Sequence, residues 1–161
     1  MKILVPIDGS AASVDAVKKA LEIARKYDFQ IKLISVVDID KILSYRRNAS
    51  MWRSVDGSIL DTRTLLEMEE IPKKLMAEAN SLLDEITDEL DFFGVDLEKE
   101  VLTGEPYEVI LETAKKENFD LIVMGNRGFS KIKRFFVGSV TQKVIAEATC
   151  PVLVVHSDVK E

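Results

Sequence analysis

Sulfur and imidazole are scarce in this chain: of 161 residues, one is cysteine (Cys150) and one is histidine (His156). A single thiol forms no internal disulfide, and no CxxC or Cys/His cluster supplies metal-ligand spacing, which excludes disulfide scaffolds and zinc modules and points to a reducing compartment. Cys150, before Pro151, reads as a packed thiol at a strand start, and His156 as a strand-end residue beyond an apolar run. Long hydrophobic runs are missing as well. The first, Ile3 to Ile7, contains a proline and stops at Asp8, short of a secretory segment, and none approaches the ~18 residues of a membrane span. A cytoplasmic protein without membrane attachment is expected. Positive charge is the third shortage: 22 Lys and Arg stand against 28 Asp and Glu, for a net charge of −6 and a pI near 5.0. That is the wrong sign for a protein that coats nucleic acid or anionic lipid, so any bound anion must be gripped locally.

What is present suits a buried core. Apolar types make up 47% and charged types 31%, and the length fits one domain over residues 1–161. KILVPI (2–7) is a short apolar run expected for a strand buried on both faces. From Ala11 to Tyr27, Val14, Val17, Leu21 and Ala24 step by three or four against a charged face, predicting an amphipathic helix. IKLISVV (31–37) gives a second strand. The stretch 40–71 then loses periodicity and reads as a long connection, of a length that suits a lid, an interaction segment or a mobile polar loop. Tyr45, Arg46, Arg47, Trp52 and Arg53 lie in it.

After Pro72, placed at a first helical turn, Leu75, Ala79, Leu82, Ile86, Leu90 and Phe93 predict a long helix ending at Gly94. VDLEKEVLTG (95–104) alternates like a half-solvated or edge strand. A helix starts at Pro106 with Tyr107, Ile110, Leu111 and Ala114 inward, and DLIVMG (120–125) is a fourth strand. A last helix from Gly138 or Ser139, with Val140, Val144, Ile145 and Ala148 inward, leads to the strand CPVLVV (150–155). Strict alternation predicts an α/β fold: a single doubly wound open sheet of five mainly parallel strands, order 3-2-1-4-5. Ligands of such sheets bind at the carboxyl ends of the strands where the winding reverses, here where Asp8 and Gly125 should meet.

Chemistry concentrates in GNRGFSKIKRFFVGS (125–139), which holds three of the seven glycines as G-x2-G-x9-G-S. Chance would produce this pattern roughly once in a thousand such sequences. Gly125 and Gly128 permit the close backbone approach that aims amide N–H groups at an oxyanion, and a helix opening at Gly138 and Ser139 offers free N–H groups and a positive dipole end. Arg127, Lys131, Lys133 and Arg134 add local positive charge. A phosphate is the natural guest. The bland alternative makes Gly125 a strand-ending turn, Ser139 an ordinary N-cap and the cations solvated. Asp8 likewise has two readings: a ligand for ribose hydroxyls or a divalent ion, or a cap on the first helix or a turn.

With ILVPIDGS, SVVD, GEPYEVILETAKKENFDLIVMG, GNRG, GS and CPVLVV in this order and spacing, the chain resembles the universal stress protein family over nearly its whole length, and its glycine pattern marks the ATP-binding branch. The resemblance implies a Rossmann-like, adenine nucleotide alpha hydrolase-like fold. It also implies that Gly125, Asn126, Arg127, Gly128, Gly138, Ser139 and Val140 hold phosphates and ribose, with Phe129, Ser130, Lys131 and Thr141 nearby. Pro6, Asp8 and the Val36 backbone would line the adenosine pocket. The implied ligand is ATP, or AMP or ADP, with Mg or Mn at Asp8 as a further option. The implied assembly is a homodimer through Pro151 to Val155, with an unidentified protein partner. Arg127 and the bulky Phe135-Phe136 pair depart from the family's usual residues.

Competing folds lack their signatures. GxxxxGK[ST] is absent, GxGxxG does not follow the first strand, the third and fifth strands end in LTG and VVH rather than in a receiver's Asp and Lys, and Ser10 with Ser13 is too thin for a flavodoxin phosphate loop. The functional readings are therefore a nucleotide-dependent stress or regulatory module, a slow metal-dependent ATPase or adenylyl-transferring enzyme, and a nucleotide-independent dimeric adaptor.

Overall fold

The computed structural model of the chain describes residues 1–44, 62–128 and 137–157, with side chains described from residue 70 in the second stretch. Its elements run β1 (Lys2–Ile7), α1 (Ala11–Tyr27), β2 (Gln30–Val37), α2 (Thr62–Glu89), β3 (Leu97–Thr103), α3 (Pro106–Lys116), β4 (Leu121–Gly125), α4 (Ser139–Glu147) and β5 (Val152–Val155). The strands form one sheet in the order β3-β2-β1-β4-β5 with every neighbour parallel, the expected doubly wound arrangement.

Side-chain alternation on β1 explains the two layers. Ile3, Val5 and Ile7 point to one face, against Ala16, Val17, Ala20 and Leu21 of α1 and Leu83 and Ile86 of α2. Leu4 points to the other, against Ile110 and Ala114 of α3 and Val144 of α4. Leu4, Val5, Val17, Ile34 and Val144 have no exposed surface, and each such side chain contributes about 1.5–3 kcal/mol of burial. Beyond Leu4 the sheet opens: β4 pairs only with Ile3 and Leu4 of β1. Pro6, which has no N–H to give a ladder, falls in that parted segment.

Four details differ from the expectations. The 40–71 stretch is not all connection: residues 39–44 are helical and α2 begins at Thr62, while 45–61 lie outside the described residues, together with Tyr45, Arg46, Arg47, Trp52 and Arg53. Pro72 sits inside α2 rather than at its start. It gives up one backbone hydrogen bond in a helix otherwise rich in Leu, Glu, Lys and Met, whose propensities favour continuation. The helix stops at Glu89, leaving Phe93 90% exposed, and Ile145 of α4 faces outward.

Lys32 is a buried cation in β2. Its Nζ lies 3.0 Å from Glu98, 2.8 Å from Glu100 and 2.8 Å from Glu117, so it ties β2 to the edge strand β3 and to the C-terminal end of α3. Burial alone would lower the pKa of this ammonium, but hydrogen bonds to Glu100, Glu117 and Glu98 outweigh it and hold the group above the ordinary lysine value. A raised folded pKa gives stability that is fully present below the unfolded value, near 10.4, and lost only as pH rises through the folded one. Lys32→Met should therefore cost about 1–2 kcal/mol, below the usual figure for a broken buried pair because the three glutamates stay solvated. In thermal melts the gap from wild type should stay constant between about pH 7 and 9; a gap that closes there would refute this account.

Candidate functional site

At the carboxyl end of β1 the chain turns sharply. Gly9 takes φ +84°, a left-handed conformation that suits glycine. This brings Ser10 back to Asp8, whose Oδ1 accepts from the Ser10 N–H at 2.9 Å and from its hydroxyl at 2.6 Å. Ser10 then N-caps α1, accepting from the Ser13 N–H at 3.3 Å, while the Ser13 hydroxyl donates to the Ser10 carbonyl at 2.8 Å. Asp8 thus stands just ahead of the first turn of α1, which has no acidic residue of its own, and its charge disfavours a second anion there. Asp8 does act as the turn-capping residue of the bland reading, and it does so with one oxygen.

The opposite wall is built differently. Gly138 is the N-cap of α4 and supplies no side-chain cap to the helix, so the first-turn N–H groups and the positive dipole end face outward. The cap is held by backbone: the Gly138 N–H donates to the Asn126 carbonyl at 2.7 Å. Buried Thr141 donates its hydroxyl to the Gly125 carbonyl at 3.0 Å, pinning α4 to the end of β4. Lys143 of α4 sits 3.8 Å from the ring centroid of Tyr107 in α3, a cation–π contact between the two helices of this face.

Between these walls lies a cleft of about 340 Å³. Pro6, Ile34, Val36, Pro106, Ile110 and Met124 make it apolar, while Asp8, Arg127, Ser139 and Thr141 with Gly125, Gly128 and Gly138 line it with polar groups and bare backbone. Ten of the residues singled out from the sequence meet here: Pro6, Asp8, Val36, Gly125, Arg127, Gly128, Gly138, Ser139, Val140 and Thr141. Asn126 is 3% exposed and does not line the cleft. Phe129, Ser130 and Lys131, with Lys133 and Arg134, lie outside the described residues.

The glycines divide by role. A Cβ on Gly125 would stand 2.7 Å from the backbone carbonyl carbon of Ala12, so this glycine lets β4 approach the first turn of α1. Among the described residues, a Cβ on Gly128 would meet the Asp8 carboxylate, at Oδ2 and more loosely at Cγ, and one on Gly138 would press on Arg127 at 3.2 Å. Sequence reasoning missed Ile34, Pro106, Ile110 and Met124 as lining residues; their signal lies in the topology, which gathers Ile34, Ile110 and Met124 on one face of the sheet beside the start of α3. Ser10 and Ser13 were visible in DGSAAS but not as cleft residues.

Among the described residues no group of three or more His, Cys, Asp or Glu side chains is placed to hold a metal, and no helix is long and apolar enough to cross a membrane. Burial pushes the Cys150 thiol up from its ordinary pKa, which suits a packed rather than a nucleophilic sulfur.

Comparison with known proteins agrees with the geometry. The model of the Universal stress protein family matches residues 1–156. Universal stress protein MJ0531 of Methanocaldococcus jannaschii is 35% identical over 160 residues, covering 99% of this chain and 84% of that protein. Among solved structures, the hypothetical protein MJ0577 superposes with a TM-score of 0.76 at 28% identity, covering 99% of this chain and 97% of the other. A family protein from Arabidopsis thaliana, solved with AMP bound, shares the fold at a TM-score of 0.62 and 21% identity, covering 100% and 94%.

Proposed function

The chain belongs to the universal stress protein family, and from that premise we propose that it is an ATP-binding regulatory module. In this reading nucleotide occupancy of the cleft changes a surface that a partner reads. One observation carries it: the cleft at the strand-order reversal joins an apolar end to the uncapped N-terminus of α4 and the bare backbone of Gly128. That combination suits a flat base at one end and a phosphate chain at the other. The AMP held by the Arabidopsis protein of the same fold supports an adenine nucleotide.

The base and ribose would lie against Pro6, Val36 and Asp8, and the phosphates against Gly128, Gly138, Ser139 and Val140, with Arg127 and Thr141 beside them. Gly125 and Asn126 support this loop from behind, and Phe129, Ser130 and Lys131 belong to the same proposal. The α1 end repels a phosphate because Asp8 already occupies it, so the chain of phosphates is directed to α4. Asp8 spends Oδ1 on Ser10 and keeps Oδ2. One carboxylate oxygen beside phosphate oxygens is a donor set that suits Mg or Mn, which takes its remaining ligands from water and substrate. A metal there would neutralise charge between the carboxylate and the phosphates.

We further propose a cytoplasmic homodimer through Pro151 to Val155: β5 is a sheet edge of four aliphatic residues with no charge to discourage pairing, whereas the other edge, β3, carries Glu98, Lys99 and Glu100. Calorimetric titration of ATP into the purified protein tests the nucleotide, and sedimentation tests the dimer. ATP is expected to bind at micromolar to millimolar concentration, ~4–8 kcal/mol; no heat with ATP, ADP or AMP would leave the dimeric adaptor as the better reading.

A further inference from the structure

Among the described residues one buried side-chain polar atom has no hydrogen-bond partner, Oδ1 of Asn126. Such atoms are rare in folded proteins and call for an explanation. Asn126 stands at a junction. Its N–H donates to the Val155 carbonyl at the end of β5 at 2.8 Å, and its carbonyl accepts from the Gly138 N–H, the N-cap of α4, at 2.7 Å. Its side-chain Nδ2 lies 3.1 Å from Nδ1 of His156, the residue after β5. An amide nitrogen only donates, so this imidazole nitrogen accepts and the amide is held by that one bond.

We infer that Asn126 is a positioning residue that couples the nucleotide cleft to the β5 edge, so that ATP in the cleft and a second copy of this chain on β5 strengthen each other's binding. The inference rests on the ATP-binding and β5-dimer readings above. Phosphate on the α4 N-terminus fixes Gly138, Gly138 fixes the Asn126 carbonyl, and the Asn126 backbone and amide fix Val155 and His156. The half-satisfied amide is the loose joint: a half-turn about Cβ–Cγ trades the Nδ2 contact for one through Oδ1, which accepts when the imidazole proton sits on Nδ1. Two arrangements of one buried group give the two ligands something discrete to bias. Ordering the joint from either side lowers what the other ligand must order, which sets the sign as positive, and linkage makes the effect reciprocal.

The test measures the dimer dissociation constant of the full chain by sedimentation with and without saturating ATP, and ATP affinity by calorimetry. Three proteins are compared: wild type, His156→Ala and His156→Gln. His156 lines no part of the cleft, and glutamine restores an amide partner for Asn126. Wild type should dimerise about tenfold more tightly with ATP. His156→Ala should retain both bindings with that gain reduced to below about threefold, and His156→Gln should recover it. Wild type that binds ATP and dimerises with no gain, or an alanine variant that keeps the full gain, overturns the coupling alone. Wild type that fails to bind ATP or to dimerise overturns the parent reading, and the coupling with it.

Discussion

Gly128→Val should abolish ATP binding, by at least ~100-fold or about 2.7 kcal/mol, and leave the fold intact, whereas Gly125→Val should unfold or severely destabilise the protein. The difference follows from what each new side chain would meet. At Gly128 it enters the cleft and, among the described residues, strikes the end of the Asp8 side chain, at Oδ2 and more loosely Cγ, filling the space where backbone would touch phosphate. At Gly125 it runs into Ala12, with the carbonyl carbon at 2.7 Å and the carbonyl oxygen at 2.9 Å. That backbone belongs to the first turn of α1, whose Ala16, Val17 and Ala20 are fully buried, so it cannot move without opening the core. Overpacking of this kind costs about 1–3 kcal/mol or more. Circular dichroism melts separate the two variants, and calorimetry then reads ATP affinity on Gly128→Val. Binding at wild-type affinity would remove the glycine loop from the phosphate site; a Gly125→Val protein as stable as wild type would undo the packing argument.

The same pair shows which parts of the site were legible in the sequence. G-x2-G-x9-G-S pointed to a backbone-lined anion site after β4, and all four of its fixed residues line the cleft. The pattern did not reveal that Gly125 serves helix packing, because Ala12 is more than a hundred residues away and only the sheet order brings it near. Element order was legible because β1, β2 and β4 are short apolar runs and the helices between them keep a 3.6-residue period. Hydrophobicity misjudged α4: Ile145 is 49% exposed while Thr141 is 3% exposed. The hydroxyl of Thr141 has a buried carbonyl to donate to, so the polar residue turns inward. Proline misjudged α2: Pro72 suits a first turn, and in the interior it loses a bond and crowds the preceding turn, yet the helix runs through it. The Asn126 to His156 contact depends on register, with Gly125 beside Val155, and no local pattern carries that.

ATP turnover by the isolated protein should be very slow, with nucleotide acting as a bound effector. The groups proposed to meet the phosphates are backbone N–H donors, a helix N-terminus and Arg127, which hold phosphate oxygens before and during reaction alike. Binding that is equal in both states lowers no barrier. Hydrolysis would need a base or a water-orienting group beside the terminal phosphate, and Asp8 is the one carboxylate among the described residues lining the cleft. Its Oδ1 is engaged twice by Ser10, which leaves Oδ2 for a metal, a ribose hydroxyl or a water. Asp8→Asn keeps an oxygen to cap Ser10 and removes the charge, so the turn at Gly9 should survive. ATP affinity with Mg or Mn should fall by about tenfold, and without metal it should rise, because the repulsion between carboxylate and phosphate is gone. Steady-state hydrolysis should be negligible in both proteins. Brisk metal-dependent turnover by wild type, lost in Asp8→Asn with affinity retained, would make Asp8 a catalytic residue and the protein an ATPase. An affinity that ignores both the metal and the substitution would instead place the phosphates away from Asp8.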